Sequence, residues 1–342
     1  MNKKCFLHIG THKTGTTALQ HFLRVNKQRL QERGVLIPVS GCIDPNSGHH
    51  NIAWELNGDD RFQGGYGTLD DLCAEISGSD CHTVVVSSED FEYLYSRPEA
   101  LVALKHRLND VGCQVEVIVF FREWGEYIIS LYGELLKHGL DLSFRVFQKR
   151  ILDNGIFVMR GNWRFCFHYE RIALGFANVF EKHHVHCNGF EVPIEPKFVK
   201  LIGLQDLENE LERVVAANES IDMVAGLALL RLNQMSRDNG TDDRERGRNT
   251  EAILSATTEA GAHADKMSVP SRWDILRFSV RFRRSKKFLH EHCRVSLNPL
   301  RGHGILPYGV RMDKEYLRRR SEIHRLVDHA YGIVLASRDH SL

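Results

Sequence analysis

The stretch of sequence that decides the fold is residues 5–20, CFLHIGTHKTGTTALQ. Its first five residues form an apolar run short enough for a buried strand, and apolar residues from position 18 onward recur at helical spacing. Between these two elements, Gly10 and Gly15 let the backbone turn tightly, so that consecutive N–H groups can point at one anion. A helix that begins directly after such a loop adds its partial positive charge at the same place. The stretch therefore predicts an anion-binding loop at residues 10–17.

The loop departs from the phosphate-binding loop (P-loop) of nucleotide hydrolases at one position. Gly10, Gly15 and Thr17 fit the frame G-x-x-x-x-G-K-[ST], but Thr16 stands where the frame has lysine. The loop has its lysine at position 13 instead, two residues before Gly15. In kinases and ATPases the frame lysine contacts the β- and γ-phosphates, and the next hydroxyl holds magnesium. A cation at the front of the loop and two hydroxyls at the helix start suit a terminal anion without a third phosphate, and they do not require a metal.

The run Lys13-Thr14-Gly15-Thr16-Thr17 resembles the 5′-phosphosulfate loop of the sulfotransferases. These enzymes use 3′-phosphoadenosine 5′-phosphosulfate (PAPS) as co-substrate. The resemblance implies that the five residues hold the 5′-phosphosulfate. His12, which lies inside the loop, is a further candidate contact for PAPS. Lys13 is also a catalytic candidate, because its charge can stabilise the negative charge that builds on the bridging oxygen of the leaving phosphate.

A second motif lies downstream, at the end of a strand predicted over residues 114–121. Arg122 ends this strand, and Ser130 follows about two turns into the next helix. A planar guanidinium and a hydroxyl at the carboxyl end of a strand can together hold a phosphate. Phe120-Phe121-Arg122 followed by Ser130-Leu131-Tyr132 resembles the 3′-phosphate motif of the sulfotransferases, although Glu123-Trp124 replaces the usual proline. The resemblance implies that Arg122 and Ser130 hold the 3′-phosphate of PAPS.

Sulfuryl transfer requires a group that takes the proton of the acceptor hydroxyl, and three residues compete for this role. Glu89 is the first choice, since it ends the strand predicted over residues 82–88, between the two phosphate motifs. Many cytosolic sulfotransferases carry a histidine at the corresponding strand end, and other branches carry a glutamate. His49 and His50 are the alternatives, because their ordinary pKa suits a base and they follow a loop that can reach the site. If one of them is the base, Glu89 caps the next helix or pairs with a cation.

Strands alternate with helices along the first half of the chain, which predicts a parallel sheet covered by helices on both faces. The expected fold class is α/β, a three-layer P-loop fold. Gly10, Glu89 and Arg122 all fall at carboxyl ends of strands, where such sheets bind ligands. We predict a core over residues 1–205 and a helical portion over residues 206–342, packed on the core and contributing to the acceptor site.

Two stretches of the second half have a distinct composition. Residues 241–266 are polar, with the charge run DDRER at positions 242–246, and are expected to form a mobile loop or a lid. Residues 272–287 are basic and amphipathic. They are expected to form a helix with a solvated face, or else a surface for an acidic substrate.

Composition limits the possible classes of protein. The chain has 342 residues, 42% hydrophobic and 26% charged, and a net charge of +1, all ordinary for a soluble globular protein and without the charge excess of a nucleic-acid binder. Its eight cysteines include no C-x-x-C pair, which favours free thiols in a reducing cytoplasm over disulfides or a zinc site. The apolar run near the start is too short for a signal peptide, and no stretch approaches the ~20 apolar residues of a membrane span.

Together these features predict a cytoplasmic sulfotransferase that moves a sulfuryl group from PAPS to an acceptor hydroxyl or amine, with no metal. The acceptor is open among saccharides, lipids and small alcohols. Two other functions remain as alternatives. One is a P-loop kinase for a small molecule, against which Thr16 weighs. The other is a non-catalytic nucleotide- or carbohydrate-binding protein that has kept the loop.

Overall fold

The computed structural model describes residues 3–44, 48–159, 163–207, 210–213, 221–239, 243–259, 270–298 and 308–339. The chain divides into two compact units, each built from separate segments. The sheet unit comprises Met1–Glu123, Val158–Asn218 and Phe282–Asn298. The helical unit comprises Trp124–Phe157, Glu219–Arg281 and Pro299–Leu342. The predicted division is a core over residues 1–205 followed by a helical portion over residues 206–342, each a single segment of the chain. In the structure the chain passes into the helical unit at Trp124 and returns to the sheet unit twice.

Five parallel strands make the sheet of the sheet unit. The strands in the described residues are β1 (Lys3–His8), β2 (Val35–Leu36), β3 (Thr83–Ser87), β4 (Cys113–Phe121), β5 (Ile156–Val158), β6 (Arg164–Cys166) and β7 (Val185–Gly189). The sheet has the order β2-β3-β1-β4-β7, and every neighbouring pair is parallel. His8, at the carboxyl end of β1, pairs with Ser87 on one side and Ile118 on the other. The prediction of an α/β fold with a parallel sheet is confirmed, and the strand before the glycine loop is its central strand.

The helices, in chain order, are α1 (Thr16–Val25), α2 (Lys27–Glu32), α3 (His50–Asn57), α4 (Leu69–Ser77), α5 (Pro98–Asp110), α6 (Trp124–Lys137), α7 (Phe144–Asn154), α8 (Tyr169–Phe180), α9 (Glu195–Leu201), α10 (Met223–Asn239), α11 (Asp243–Glu259), α12 (Arg272–Arg281), α13 (Arg283–Cys293) and α14 (Tyr308–Asp339). Short 3₁₀ segments occur at Gly64–Tyr66, Glu89–Ser96, Lys182–His184 and Gln205–Leu207.

Helices cover both faces of the sheet. On one face, Phe6 of β1 packs in a buried cluster with Phe22 of α1 and Phe198 of α9. On the other, the ring of Phe121 stacks on Tyr169 of α8 at 4.5 Å, and α5 also contacts β4. Each buried apolar side chain of this size contributes roughly 1.5–3 kcal/mol to folding, so the two layers stabilise the sheet whose strand ends carry the candidate site.

The helical unit is joined by polar contacts as well as apolar ones. The side-chain amide of Asn233 on α10 donates to the carbonyl oxygens of Leu136 on α6, at 2.8 Å, and of Leu140, at 3.0 Å. Leu136 belongs to the last turn of α6, where carbonyl oxygens lack intrahelical partners, and Leu140 lies three residues past the end of the helix. The Asn233 side chain therefore ties the C-terminal end of α6 to α10.

The helix predicted to follow the glycine loop, α1, ends at Val25, and the side chain of the next residue, Asn26, bonds the backbone of Glu212. Two local predictions differ from the structure. The polar stretch 241–266, expected to be a loop or a lid, contains helix α11, which buries Ile253; its residues 241, 242 and 260–266 lie outside the described part. The basic stretch 272–287 forms parts of two helices, since buried Phe282 separates α12 from α13.

Within the described ranges, no helix combines the length and the apolar character that are needed to cross a membrane.

Candidate functional site

The glycine loop (residues 10–17) has an unusual backbone. Gly10, Lys13 and Gly15 all adopt positive φ, at 81°, 62° and 76°. A side chain on Gly10 would place its Cβ 2.8 Å from the Cα and Cβ atoms of Glu89, so only glycine allows this close approach. Lys13 is not a glycine, and a left-handed conformation costs it free energy that the surrounding contacts must offset. Backbone turns of this kind direct successive N–H groups toward one point, where an anion can bind.

Side chains fix the shape of the loop from within. The Thr11 hydroxyl donates to the carbonyl oxygen of Phe120 on β4 at 3.2 Å. The Thr14 hydroxyl donates to the carbonyl oxygen of Thr11 at 2.5 Å, and both threonines are fully buried. Of the residues predicted to hold the 5′-phosphosulfate, Thr14 therefore uses its hydroxyl to shape the loop, and only its backbone N–H remains suited to an anion.

The start of α1 is open to a ligand. Gly15 precedes the first helical residue, Thr16, and in the described part of the chain no side chain caps this end. The first turn carries no acidic residue. Thr17 is exposed, whereas Thr16 is buried. The first N–H groups of a helix lack intrahelical partners and carry its positive partial charge, so an anion in the loop would meet both.

Arg122 lies directly against the glycine loop. One guanidinium nitrogen donates to the carbonyl oxygen of Lys13 at 3.1 Å, and the group lies 5.3 Å from the ring centre of Phe190. The backbone carbonyl of Arg122 accepts a hydrogen bond from the Tyr169 hydroxyl at 2.9 Å. The structure thus brings Arg122 together with the loop, an arrangement that is required if the two motifs bind the 3′- and 5′-groups of one PAPS molecule. Ser130 lies half-buried on α6 in the helical unit, and its pairing with Arg122 stays a prediction.

Glu89 is the first residue of the 3₁₀ segment Glu89–Ser96, which follows β3, and its backbone lies against Gly10. The cap of this segment is Ser88, whose hydroxyl accepts from the backbone N–H of Asp90 at 3.1 Å. The Glu89 carboxylate accepts a hydrogen bond from the Gln20 side chain at 3.0 Å. Burial opposes its ionised form, but the charges of His50 and His12 outweigh burial and hold the pKa of Glu89 below its ordinary value. An ionised carboxylate therefore lies beside the loop.

His50 is the first residue of α3 and faces the same segment. Its Nδ1 atom lies 3.0 Å from a carboxylate oxygen of Asp90 and 3.0 Å from the Ser88 hydroxyl oxygen. Burial disfavours the charged ring, but Glu89 and Asp90 outweigh burial and raise the pKa of His50 above its ordinary value. These neighbours therefore favour the positively charged form of the His50 ring near the candidate base.

His49 has a different environment from its neighbour. The ring is buried, with Nδ1 accepting from the backbone N–H of Ser87 at 3.1 Å and Nε2 donating to the carbonyl oxygen of Pro38 at 3.2 Å. Burial lowers the pKa of His49 to about 3, so the ring is neutral. Both nitrogens are occupied by backbone groups, an arrangement that favours a structural role over proton transfer.

His12 connects the glycine loop to the 3₁₀ segment. Its Nδ1 lies 3.2 Å from a Glu92 carboxylate oxygen, and its Nε2 lies 3.1 Å from the Tyr93 hydroxyl. Burial disfavours the charged ring, but hydrogen bonds to Asp90 and Glu92 raise the pKa of His12 to about 10. The backbone N–H of His12 also donates to the Glu92 carboxylate, at 3.2 Å. Both ring nitrogens and the backbone N–H therefore face protein groups, and the contact between His12 and PAPS stays a prediction.

Sequence patterns missed the acidic residues that organise this site. Asp90 and Glu92 are buried and contact the histidines of the loop and of α3. The available signal was the clustering of Glu89, Asp90 and Glu92 within four residues directly after a buried strand. Buried carboxylates need cationic or hydrogen-bonding partners, so this spacing could have pointed to partners elsewhere in the chain.

The free energy of unfolding is expected to fall as the pH drops below about 6.5, the ordinary pKa of histidine. Burial lowers the pKa of His8 to about 4 and of His49 to about 3, so the unfolded chain binds protons that the native state does not. The stability that depends on these neutral rings is present above their unfolded pKa and is lost as the pH falls toward their folded values. Urea denaturation at a series of pH values measures this dependence.

His49→Gln is expected to weaken that acid dependence, whatever its effect on stability at neutral pH. His21→Gln, at an exposed position, is the matched control and should keep the wild-type dependence. An acid dependence unchanged in His49→Gln would contradict the assignment of a buried neutral ring.

Comparisons with protein-family models, curated proteins and solved structures find no match to this chain.

Proposed function

We propose that this chain is a PAPS-dependent sulfotransferase on a P-loop fold. One observation carries the proposal: the glycine loop, Arg122 and Glu89 lie together at the carboxyl ends of the adjacent strands β1, β4 and β3. An open helix start, a guanidinium and a carboxylate are the groups that binding a phosphosulfate and deprotonating an acceptor require. The central position of β1 in a parallel sheet also supports the P-loop assignment.

In this proposal the binding roles fall to the loop and to Arg122. Backbone N–H groups of the glycine loop and the start of α1 hold the 5′-phosphosulfate, with the Thr16 and Thr17 hydroxyls at the same helix end. Arg122 and Ser130 hold the 3′-phosphate. Because Arg122 also bonds the Lys13 carbonyl, occupation of the 3′-phosphate site would reinforce the strained loop backbone.

The chemical roles fall to Glu89 and Lys13. The acceptor hydroxyl or amine attacks sulfur in line with the bond to the bridging oxygen, and Glu89 takes the proton that the acceptor loses. The S–O bond to the leaving phosphate breaks, and 3′,5′-adenosine bisphosphate departs. The Lys13 ammonium stabilises the charge that develops on the bridging oxygen. None of these roles requires a metal.

Thermal unfolding in the presence of nucleotides tests the binding half of the proposal. We expect 3′,5′-adenosine bisphosphate to raise Tm by mass action on the native state, because at a concentration 100-fold above its Kd it adds about 2.7 kcal/mol to the free energy of unfolding. AMP, which lacks the 3′-phosphate, and ATP with magnesium should stabilise much less. In Arg122→Ala the advantage of the bisphosphate over AMP should disappear, because the 3′-phosphate is the group of the ligand that the guanidinium is proposed to contact.

Equal stabilisation by ATP with magnesium would contradict the proposal and favour a small-molecule kinase. Transfer is then tested with sulfur-labelled PAPS against saccharide, lipid and small-alcohol acceptors. Tight binding of the bisphosphate without transfer to any acceptor would favour a non-catalytic nucleotide-binding protein.

A further inference from the structure

A connected cluster of charged side chains lies behind Glu89, and Asp90 is at its centre. One Asp90 oxygen accepts a hydrogen bond from the indole N–H of Trp54 at 2.8 Å and lies 3.0 Å from Nδ1 of His50. The other oxygen lies 3.7 Å from Nε2 of His12 and 3.8 Å from an Arg61 nitrogen. Asp90 is 4% exposed, so its charge must be matched by these neighbours rather than by water.

Arg61 has another principal partner. Its guanidinium forms two hydrogen bonds of 2.9 Å to the two oxygens of Asp59. Its carbon atom lies 4.5 Å from the ring centre of Trp54 and 5.3 Å from that of Trp163. A two-point bond and two aromatic contacts fix the guanidinium on Asp59. The closest cation to Asp90 is therefore the His50 ring.

Several contacts fix the orientation of His50. Its Nδ1 faces Asp90 and the Ser88 hydroxyl, while its ring stacks on Trp54 with a centroid distance of 6.0 Å. Trp54 itself donates to the same Asp90 oxygen that faces His50. A carboxylate on one nitrogen of a histidine fixes the proton there and stabilises the charged ring, as in known carboxylate–histidine pairs.

We propose that Asp90 holds His50 as an imidazolium whose charge keeps Glu89 ionised in its half-buried place beside the glycine loop. Asp90 and His50 are then positioning residues, which act on the reaction through Glu89. This inference rests on the proposed function for the role of Glu89 as base, but the charge arrangement itself can be measured without any substrate.

Groups of four other elements surround Glu89. His50 of α3 has its Nδ1 3.0 Å from the side chains of both chain neighbours of Glu89, Ser88 and Asp90. His12 belongs to the glycine loop, against which Glu89 packs, and α1 contributes the uncharged Gln20 amide. On β1, His8 is neutral because burial lowers its pKa to about 4. Within its own segment, the Asp90 carboxylate disfavours the ionised form of Glu89.

The balance among these groups depends on His50. Burial and the Asp90 charge both oppose an ionised Glu89, and the imidazolium of His50 is the largest contribution that favours it. The second cation, His12, is engaged with Glu92 and Tyr93. Removal of the His50 charge should therefore allow Glu89 to take up a proton at a higher pH. A protonated Glu89 cannot accept the proton of an acceptor, so the acid limb of the activity profile should move with it.

NMR titration of the free protein, labelled with ¹³C in its histidine and glutamate side chains, tests the inference directly. In wild type the His50 ring should titrate above its ordinary range and Glu89 below its own. His50→Gln should move the Glu89 titration upward by about one pH unit or more, the effect expected for loss of one nearby opposite charge. Asp90→Asn should lower the His50 titration. The His50 signal is assigned by its loss in His50→Gln, and the Glu89 signal by its loss in Glu89→Gln.

Glu55→Gln is the matched control, because it removes a carboxylate of α3 that accepts from the backbone N–H of Leu69 and not from His50. It should leave both titrations near their wild-type positions. A His50 ring that titrates at or below its ordinary range in wild type would overturn the inference, as would a Glu89 titration unchanged in His50→Gln. If Asp90→Asn does not fold, His50→Gln still tests the charge at Glu89 with Asp90 in place.

Activity provides a separate readout. Once an acceptor is known, kcat can be measured as a function of pH. In His50→Gln the fall of kcat on the acid side of this profile should move to higher pH. Substitution of a residue that only supports the fold would lower kcat equally at all pH values. If no acceptor is ever sulfated, the proposed function fails while the NMR titrations still decide whether the charge pair exists. If transfer occurs and the titrations do not move, the inference fails and the proposed function stands.

Discussion

Glu89→Gln is expected to lower kcat by ~10²–10⁴-fold, the usual contribution of a general base, with little change in the affinity for 3′,5′-adenosine bisphosphate. The amide keeps the size of the carboxylate but cannot accept the acceptor proton. The backbone of Glu89, which packs against Gly10, is unaffected by the substitution. Steady-state kinetics with sulfur-labelled PAPS and calorimetry with the bisphosphate measure the two quantities separately.

Glu55→Gln is the matched control, since Glu55 lies on α3 and accepts a hydrogen bond from the backbone N–H of Leu69 at 2.7 Å. It should keep near wild-type kcat. A fully active Glu89→Gln would contradict the assignment. If His50→Ala is then inactive but still binds the bisphosphate, His50 is the base. The same outcome for His49→Ala alone would require its buried ring to open toward the acceptor, against the contacts that it makes with Ser87 and Pro38.

The parts of the fold that depend on short-range pattern could be predicted from the sequence. A β-branched run gave β3, two glycines separated by four residues gave the loop, and apolar spacing gave α1. Each of these signals arises within a few residues of chain, where local sterics decide the conformation. The placement of β1 between β3 and β4 depends instead on pairing across about 80 to 110 residues, and no local pattern encodes it.

The candidate site could also be predicted only in part from the sequence. The loop, Glu89 and Arg122 follow from strand ends, because carboxyl ends of parallel strands meet at one edge. The adjacent histidines could not be told apart, since α3 begins between them and sends their rings to different partners. The roles of Asp90 and Glu92 depend on contacts with residues 40 and 80 positions away, which hydrophobic periodicity does not report.

Lys13→Ala is expected to lower kcat by about 10²-fold or more, because it removes a charge directed at the transition state. Binding of 3′,5′-adenosine bisphosphate should suffer less, since this ligand has lost the sulfuryl group and its other contacts are with the loop backbone. The bond from Arg122 to the Lys13 carbonyl does not depend on the side chain and should survive the substitution.

Lys13→Gly is the control that separates charge from backbone conformation. Lys13 has a φ of 62°, which glycine adopts without cost but alanine does not. If the ammonium carries the effect, both variants should lose kcat to a similar extent, and the glycine variant should be the more stable of the two. If Lys13→Gly retains wild-type kcat while Lys13→Ala does not, the loop backbone rather than the charge is responsible. Unchanged kcat in both variants would remove Lys13 from the mechanism and leave the charge on the bridging oxygen to the loop N–H groups and the start of α1.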